Sequence, residues 1–187
     1  MQQQRRRSGI ILGLVALGLL AGAALTARPA QAVDAIGPYY AEPAWDQKLP
    51  VATRFVVLTN WNSAAVLDKE TGLVWERSPH ITGHIWSAAR VQCTARTTGA
   101  RKGWRLPSVH ELASLIDPSV APPGPNLPPG HPFLTVQSAL YWSATTYVDD
   151  SSIAGLVGFG GGFSATGDRF AAFHAWCVRG GMHAGQY

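Results

Sequence analysis

The chain has 187 residues, with 15 Lys+Arg against 11 Asp+Glu and only two cysteines. Its formal charge of +4 is unevenly placed: Arg5, Arg6, Arg7 and Arg28 all precede residue 33, and without them eleven basic residues face eleven acidic ones. A globally basic, nucleic-acid-seeking domain is thereby excluded, and no collagen-type Gly-X-Y tract or solenoid repeat is present.

The chain opens with a basic run, Arg5 to Arg7, then an apolar stretch from Ile10 to Leu25 and the small-residue site Ala30-Gln31-Ala32. That is the pattern of a secretory signal peptide cleaved after Ala32. The mature chain would then run from Val33, 155 residues that suffice for one domain with its own core. Periplasmic or secreted placement follows as an expectation, without stable membrane insertion after cleavage. In an oxidising compartment Cys93 and Cys177 are expected to pair as a disulfide; a reactive or metal-binding thiol pair is the alternative, and no C-x-x-C spacing supports it.

Residues 33–50 show no clear period and read as an arm. Phe55 to Leu58 is a short β-type run. Ala64 to Asp68 and Gly72 to Glu76 flank Lys69-Glu70-Thr71, the spacing of a hairpin. From Ile85 to Thr94 the period becomes helical, with Trp86, Ala89 and Cys93 on one face. A second helix starts after Gly103-Trp104-Arg105-Leu106-Pro107. Ser108 and Glu111 form a capping-box pattern, and Val109, Leu112, Ala113, Leu115 and Ile116 give a stripe that Asp117-Pro118 ends.

Pro118 to Pro132 holds seven prolines and is expected to be a surface loop. The remainder reads as β: Leu140 to Ser143, Ile153 to Phe159 and Arg169 to Arg179, with the glycine-rich Gly158 to Phe163 as a hairpin or sheet bend rather than a phosphate cradle. Strands, two helices, then strands make an α+β plan.

Catalytic signals are weak. His80 and His84 have a zinc-like spacing, but Pro79 and Gly83 break the helix that spacing needs; Asp149-Asp150 reads as a solvated turn. No catalytic residue, metal or cofactor is expected. Binding is better supported: Arg90, Arg96, Arg101, Lys102 and Arg105 fall within sixteen residues that contain no acid, a local patch suited to carboxylate, sulfate or phosphate groups. Trp61, Tyr141, Trp142, Tyr147 and Trp176 are candidates for stacking on a sugar or partner, with Trp61 and Trp142 foremost, although many of the five should be core.

The fragments also have a collective order: Asp68 to Trp75, Trp86-Ser87-Ala88-Ala89 leading to Cys93, Gly103 to Ser108 with Glu111-Leu112, Tyr141-Trp142-Ser143, and Cys177-Val178-Arg179. This series resembles the Lcl C-terminal domain family, the C-terminal domain of a bacterial collagen-like adhesin. The resemblance implies a C-type-lectin-like single domain, with two helices packed on a mainly antiparallel sheet and one disulfide. Together with the cleavage site and the unpatterned arm, it divides the chain into a signal peptide at 1–32, an arm with the first strand at 33–60, and the Lcl C-terminal-like domain at 61–187. For the adhesin itself it implies trimeric binding of sulfated glycosaminoglycans, so a polysaccharide or cell-surface ligand, and self-association, become expectations. The element Arg105-Leu106-Pro107-Ser108 with Glu111 is also similar to one in formylglycine-generating enzymes, of related fold, whose catalysis uses two cysteines near the C-terminus. The leading expectation is an exported, non-catalytic binding module; an enzyme related to that class and a structural envelope protein are the alternatives.

Overall fold

β2 (Ala65–Asp68) and β3 (Leu73–Glu76) form the expected hairpin, and the local chemistry explains its turn. Asp68 Oδ1 accepts the Glu70 N–H, Gly72 N–H returns to the Asp68 carbonyl, and Gly72 takes the positive φ of 68° that favours glycine. The computed structural model describes residues 49–180, which fall within one compact unit, 36–187. The expected signal peptide and nearly all of the arm lie outside the described residues. Among these, no helix is long and apolar enough to cross a membrane.

β1 (Phe55–Val57) pairs antiparallel with β2, preceded by a single helical turn, α1 (Val51–Arg54), which carries no sequence signal of its own. The helix read from Trp86, Ala89 and Cys93 is present as α2 (Trp86–Thr94), with those three residues buried. After β4 (Trp104–Arg105) comes α3 (Val109–Ala113) with a complete capping box: Ser108 Oγ accepts from Glu111 N, and the Glu111 carboxylate accepts from Ser108 N. α3 is shorter than its apolar stripe predicts. Ser114 Oγ bonds back to the Glu111 carbonyl, and Leu115 and Ile116 close tighter i−3 turns, so both remain buried while the helix stops.

β5 (Leu140–Thr146), β6 (Ile153–Gly158) and β7 (Phe163–Asp168) form a three-stranded antiparallel sheet, with the glycine-rich segment turning β6 into β7. Two expectations need correction. The proline-rich 118–132 stretch has no regular structure but is not wholly superficial, since Asn126, Leu127 and Pro128 are buried. The 169–179 run is not one strand; its partners change every few residues. Phe173 exchanges hydrogen bonds with His84, His174 bonds Leu140 and Trp142 of β5, the Cys177 carbonyl accepts from Glu76, and only β8 (Val178–Arg179) enters a ladder. β8 lies between β3 and β4, giving the second sheet the order β1-β2-β3-β8-β4.

Pleat alternation feeds two cores. Val66, Trp75, Tyr141, Val157, Trp176 and Val178 enter one with Leu112 and Phe159; Ala65, Trp142, Leu156 and Cys177 enter the other with Trp86, Cys93 and Trp104. The Cys93–Cys177 disulfide, Cα–Cα 5.3 Å, ties α2 to the last run within the second core. Closing a loop with 84 residues of separation contributes about 4 to 5 kcal/mol in the chain-entropy account. The α+β plan with one disulfide is thus as expected.

A buried ion pair anchors the first strands. Arg54, 2 % exposed, grips Asp68 through Nε–Oδ1 at 2.9 Å and Nη2–Oδ2 at 2.7 Å, and donates to the Ser114 carbonyl at 2.9 Å. Arg54→Met is expected to cost about 3–5 kcal/mol, because the Asp68 carboxylate stays buried without its cation; chemical denaturation measures it, and a loss below about 1 kcal/mol would refute the anchoring role. Cys93→Ser should lower stability toward the disulfide figure above, and thiol titration of the native wild type should find no free thiol.

Candidate functional site

The residues expected to form one basic-aromatic face are divided among three settings. Arg179 pairs across the sheet with Trp104, and Val178 with Arg105. Because Trp104 and Arg105 are consecutive in β4, the pleat sends Arg179 and Arg105 to opposite faces of the sheet.

On the Trp104 face, half-buried Trp61 sits edge-to-face with Trp104, centroids 6.5 Å apart. Its ring has two guanidinium groups at 5.5 Å, those of Arg101 and Arg179. The backbone holds them there: Arg179 Nε donates to the Lys102 carbonyl at 2.8 Å, and Trp104 Nε1 to the Arg101 carbonyl at 2.9 Å. Gly99 completes the setting, with φ 64° and a position where a Cβ would lie 2.8 Å from the Trp61 side chain. Arg101 and Lys102 are exposed, and among the described residues neither they nor Arg179 has a carboxylate within ion-pair distance. Arg179, absent from the expected site, belongs to it; only the cross-strand pairing brings it there.

Arg96 and Arg105 are occupied within the fold. Arg105 makes a two-pronged pair with Glu111, Nη1–Oε2 at 2.7 Å and Nη2–Oε1 at 2.6 Å, and donates to the Leu106 and Gly180 carbonyls. Arg96 Nε lies 3.2 Å from Glu76 Oε1, an oxygen that also accepts from Thr98 at 2.8 Å. Trp142 requires correction as a stacking candidate. It is 0 % exposed, packs on Phe173 and donates through Nε1 to the His84 carbonyl, so no ligand can reach its ring. Tyr141 and Trp176 are likewise core; burial pushes the Tyr141 hydroxyl up to about 12, against a hydrogen bond from Gln137 N. Tyr147 is exposed.

Arg90 stands apart on α2, exposed, its guanidinium 4.7 Å from the centroid of the Trp86 ring, with Arg169 at 4.2 Å from the same centroid. It borders a cleft of about 340 Å³ together with Thr94, Arg105, Ser108, Glu111 and Thr145. Thr145, on β5, has no signal in the sequence that links it to this place.

The remaining candidates fall elsewhere. The His80 and His84 rings are 5.7 Å apart before α2, and His84 Nε2 lies 3.1 Å from the Gln92 amide nitrogen. Among the described residues no group of three His, Cys, Asp or Glu is placed to hold a metal. Asp150 closes a turn, accepting from Ser152 N and Oγ, which lowers its carboxyl below the usual value. Both cysteines are in the disulfide, leaving no free thiol in the oxidised fold.

Glu76 gives the site a pH signature. Burial raises its carboxyl above the ordinary 4.5, opposed by Arg96, Thr98 and the backbone at Cys177, and Oε2 has no hydrogen-bond partner among the described residues. A raised native value means that the folded state holds the proton more tightly than the unfolded chain. This contribution to stability is complete below the unfolded value and is lost as pH rises through the folded one. Urea midpoints measured upward from about pH 4 should show this fall in wild type and a flatter profile in Glu76→Gln; parallel profiles would contradict the assignment.

None of the curated proteins compared with the chain matches it. At the level of families, the model described as the Lcl C-terminal domain matches residues 64–179, from the start of the hairpin to the end of β8. That span is more than half of the sequence, and the chain belongs to the Lcl C-terminal domain family.

Proposed function

We propose that this protein is an exported, adhesin-like, non-catalytic binding module that recognises an anionic glycan on a polymer or cell surface. The observation that carries the reading is the Trp61 platform: an aromatic ring under the Arg101 and Arg179 guanidinium groups, beside Lys102, with no carboxylate neutralising them among the described residues. Arginine forks match carboxylate and sulfate oxygens, and the indole beneath them holds the two guanidinium groups side by side for an anionic group to bridge. Family membership and the disulfide support an adhesin-like module in an oxidising compartment. The alternative kinship with formylglycine-generating enzymes needs a thiol, and the disulfide occupies both sulfurs.

Since residues 33–187 carry no formal net charge, retention on an anionic matrix would report the local platform rather than bulk attraction. The protein should bind immobilised heparin at low ionic strength, and elute as salt shortens the Debye length toward about 8 Å at 0.15 M. Arg101→Ala combined with Lys102→Ala should remove most of that retention while leaving the thermal midpoint unchanged within error. No retention of wild type, or equal retention of the double variant, overturns the reading.

A further inference from the structure

The cleft between α2, the start of α3 and β5 has a donor set unlike that of the Trp61 platform. Its two largest charges cancel. Glu111 is held by both prongs of Arg105 and by the Ser108 N–H at 2.7 Å, so its carboxylate neither repels an incoming anion nor remains available to a cation. Arg90 therefore sets the sign: it is exposed at the rim, its guanidinium lies against the Trp86 indole, and no carboxylate pairs with it among the described residues. The cleft carries a net charge close to +1.

The hydroxyls have been assigned roles by the fold. Ser108 Oγ accepts the Glu111 N–H at 3.1 Å and Thr145 Oγ1 accepts the Val109 N–H at 3.0 Å. Each spends a lone pair on the helix start, and neither O–H has an acceptor among the described residues, so both are left as donors. Thr94 Oγ1 donates to the Val91 carbonyl at 3.0 Å and keeps its lone pairs for an incoming hydroxyl. Leu106 and Ala144 add apolar surface. With a volume of about 340 Å³, the cleft is near the lower end of the range of about 300–1,000 Å³ for small-molecule sites, room for one sugar ring rather than a chain.

We infer that this cleft binds a single carboxylate-bearing sugar, a hexuronate unit, with the carboxylate on Arg90 and ring hydroxyls on Thr94, Ser108 and Thr145. The inference rests on the glycan reading above for the class of polymer and on separate residues for the contact. The platform would hold the charged chain, and the cleft would select one acidic residue of it.

The test titrates the purified full chain with methyl glucuronoside, its carboxylate methyl ester, the neutral methyl glucoside and glucose 6-sulfate, followed by calorimetry. The uronoside should bind, and the ester and neutral sugar should bind at least tenfold more weakly. Arg90→Gln, at an exposed position, and Ala144→Trp, which fills the cleft from an exposed strand position, should each weaken uronoside binding at least tenfold. Absence of uronoside binding, equal affinity for the ester or for the sulfated sugar, or unchanged binding in Arg90→Gln overturns the cleft assignment. The two readings fail separately: heparin retention without uronoside binding removes the cleft alone, whereas uronoside binding without heparin retention removes the platform alone.

Discussion

The architecture depends on a wedge. β8, two residues long, lies between β3 and β4, and the backbone leading to it bonds in turn to the loop before α2, to β5 and to the end of β3. Tyr141 and Trp176, on β5 and the last run, share one core, while Trp142 and Cys177 share the other, so this single segment joins both sheets and both cores. The disulfide adds a covalent tie from α2 to the same segment. Remove the wedge and β4 loses its ladder partner.

That wedge also determines what the basic residues can do. Placing Arg179 opposite Trp104 completes the group over Trp61, and placing Val178 opposite Arg105 leaves Arg105 on the other face, where Glu111 receives it. Three of the five cations in the run between 90 and 105 are thus paired within the fold, as Arg96 and Arg105 are, or set apart on α2, as Arg90 is. Charge density along a sequence says little about charge density on a surface when a pleat divides consecutive residues.

What could be read from the sequence was local. The hairpin with its Gly72 turn, the stripe of α2 and the capping box at Ser108 and Glu111 all depend on residues within a few positions of one another, and they appear as expected. Long-range choices were not legible. Trp61 and Trp142 are chemically identical, but one lies at a half-open edge and the other inside a core, a difference set by packing partners far along the chain. Glu111 was recognisable as a cap, yet its second role, neutralising Arg105, needed β4 to lie beside α3. Likewise Arg96 meets Glu76 across twenty residues, and Thr145 reaches the cleft only because β5 runs past the start of α3. The 169–179 run is extended and apolar, as β propensity implies, but it serves several partners in succession and so forms almost no strand.

The wedge has a kinetic meaning as well. Trp75 pairs with Val178, so a defining ladder joins residues separated by more than half of the chain, and the segment that fills both cores is made well after the β3 strand it pairs with. Contacts of such sequence separation incur loop-closure entropy before they contribute, which slows folding. A nascent chain stopped short of residue 173 has neither the Trp176 of one core nor the Cys177 of the other, and cannot close either. The domain closes only once residues 173–179 are present, so a product truncated before them is left open, recognisable to proteases, rather than persisting as a defective binder.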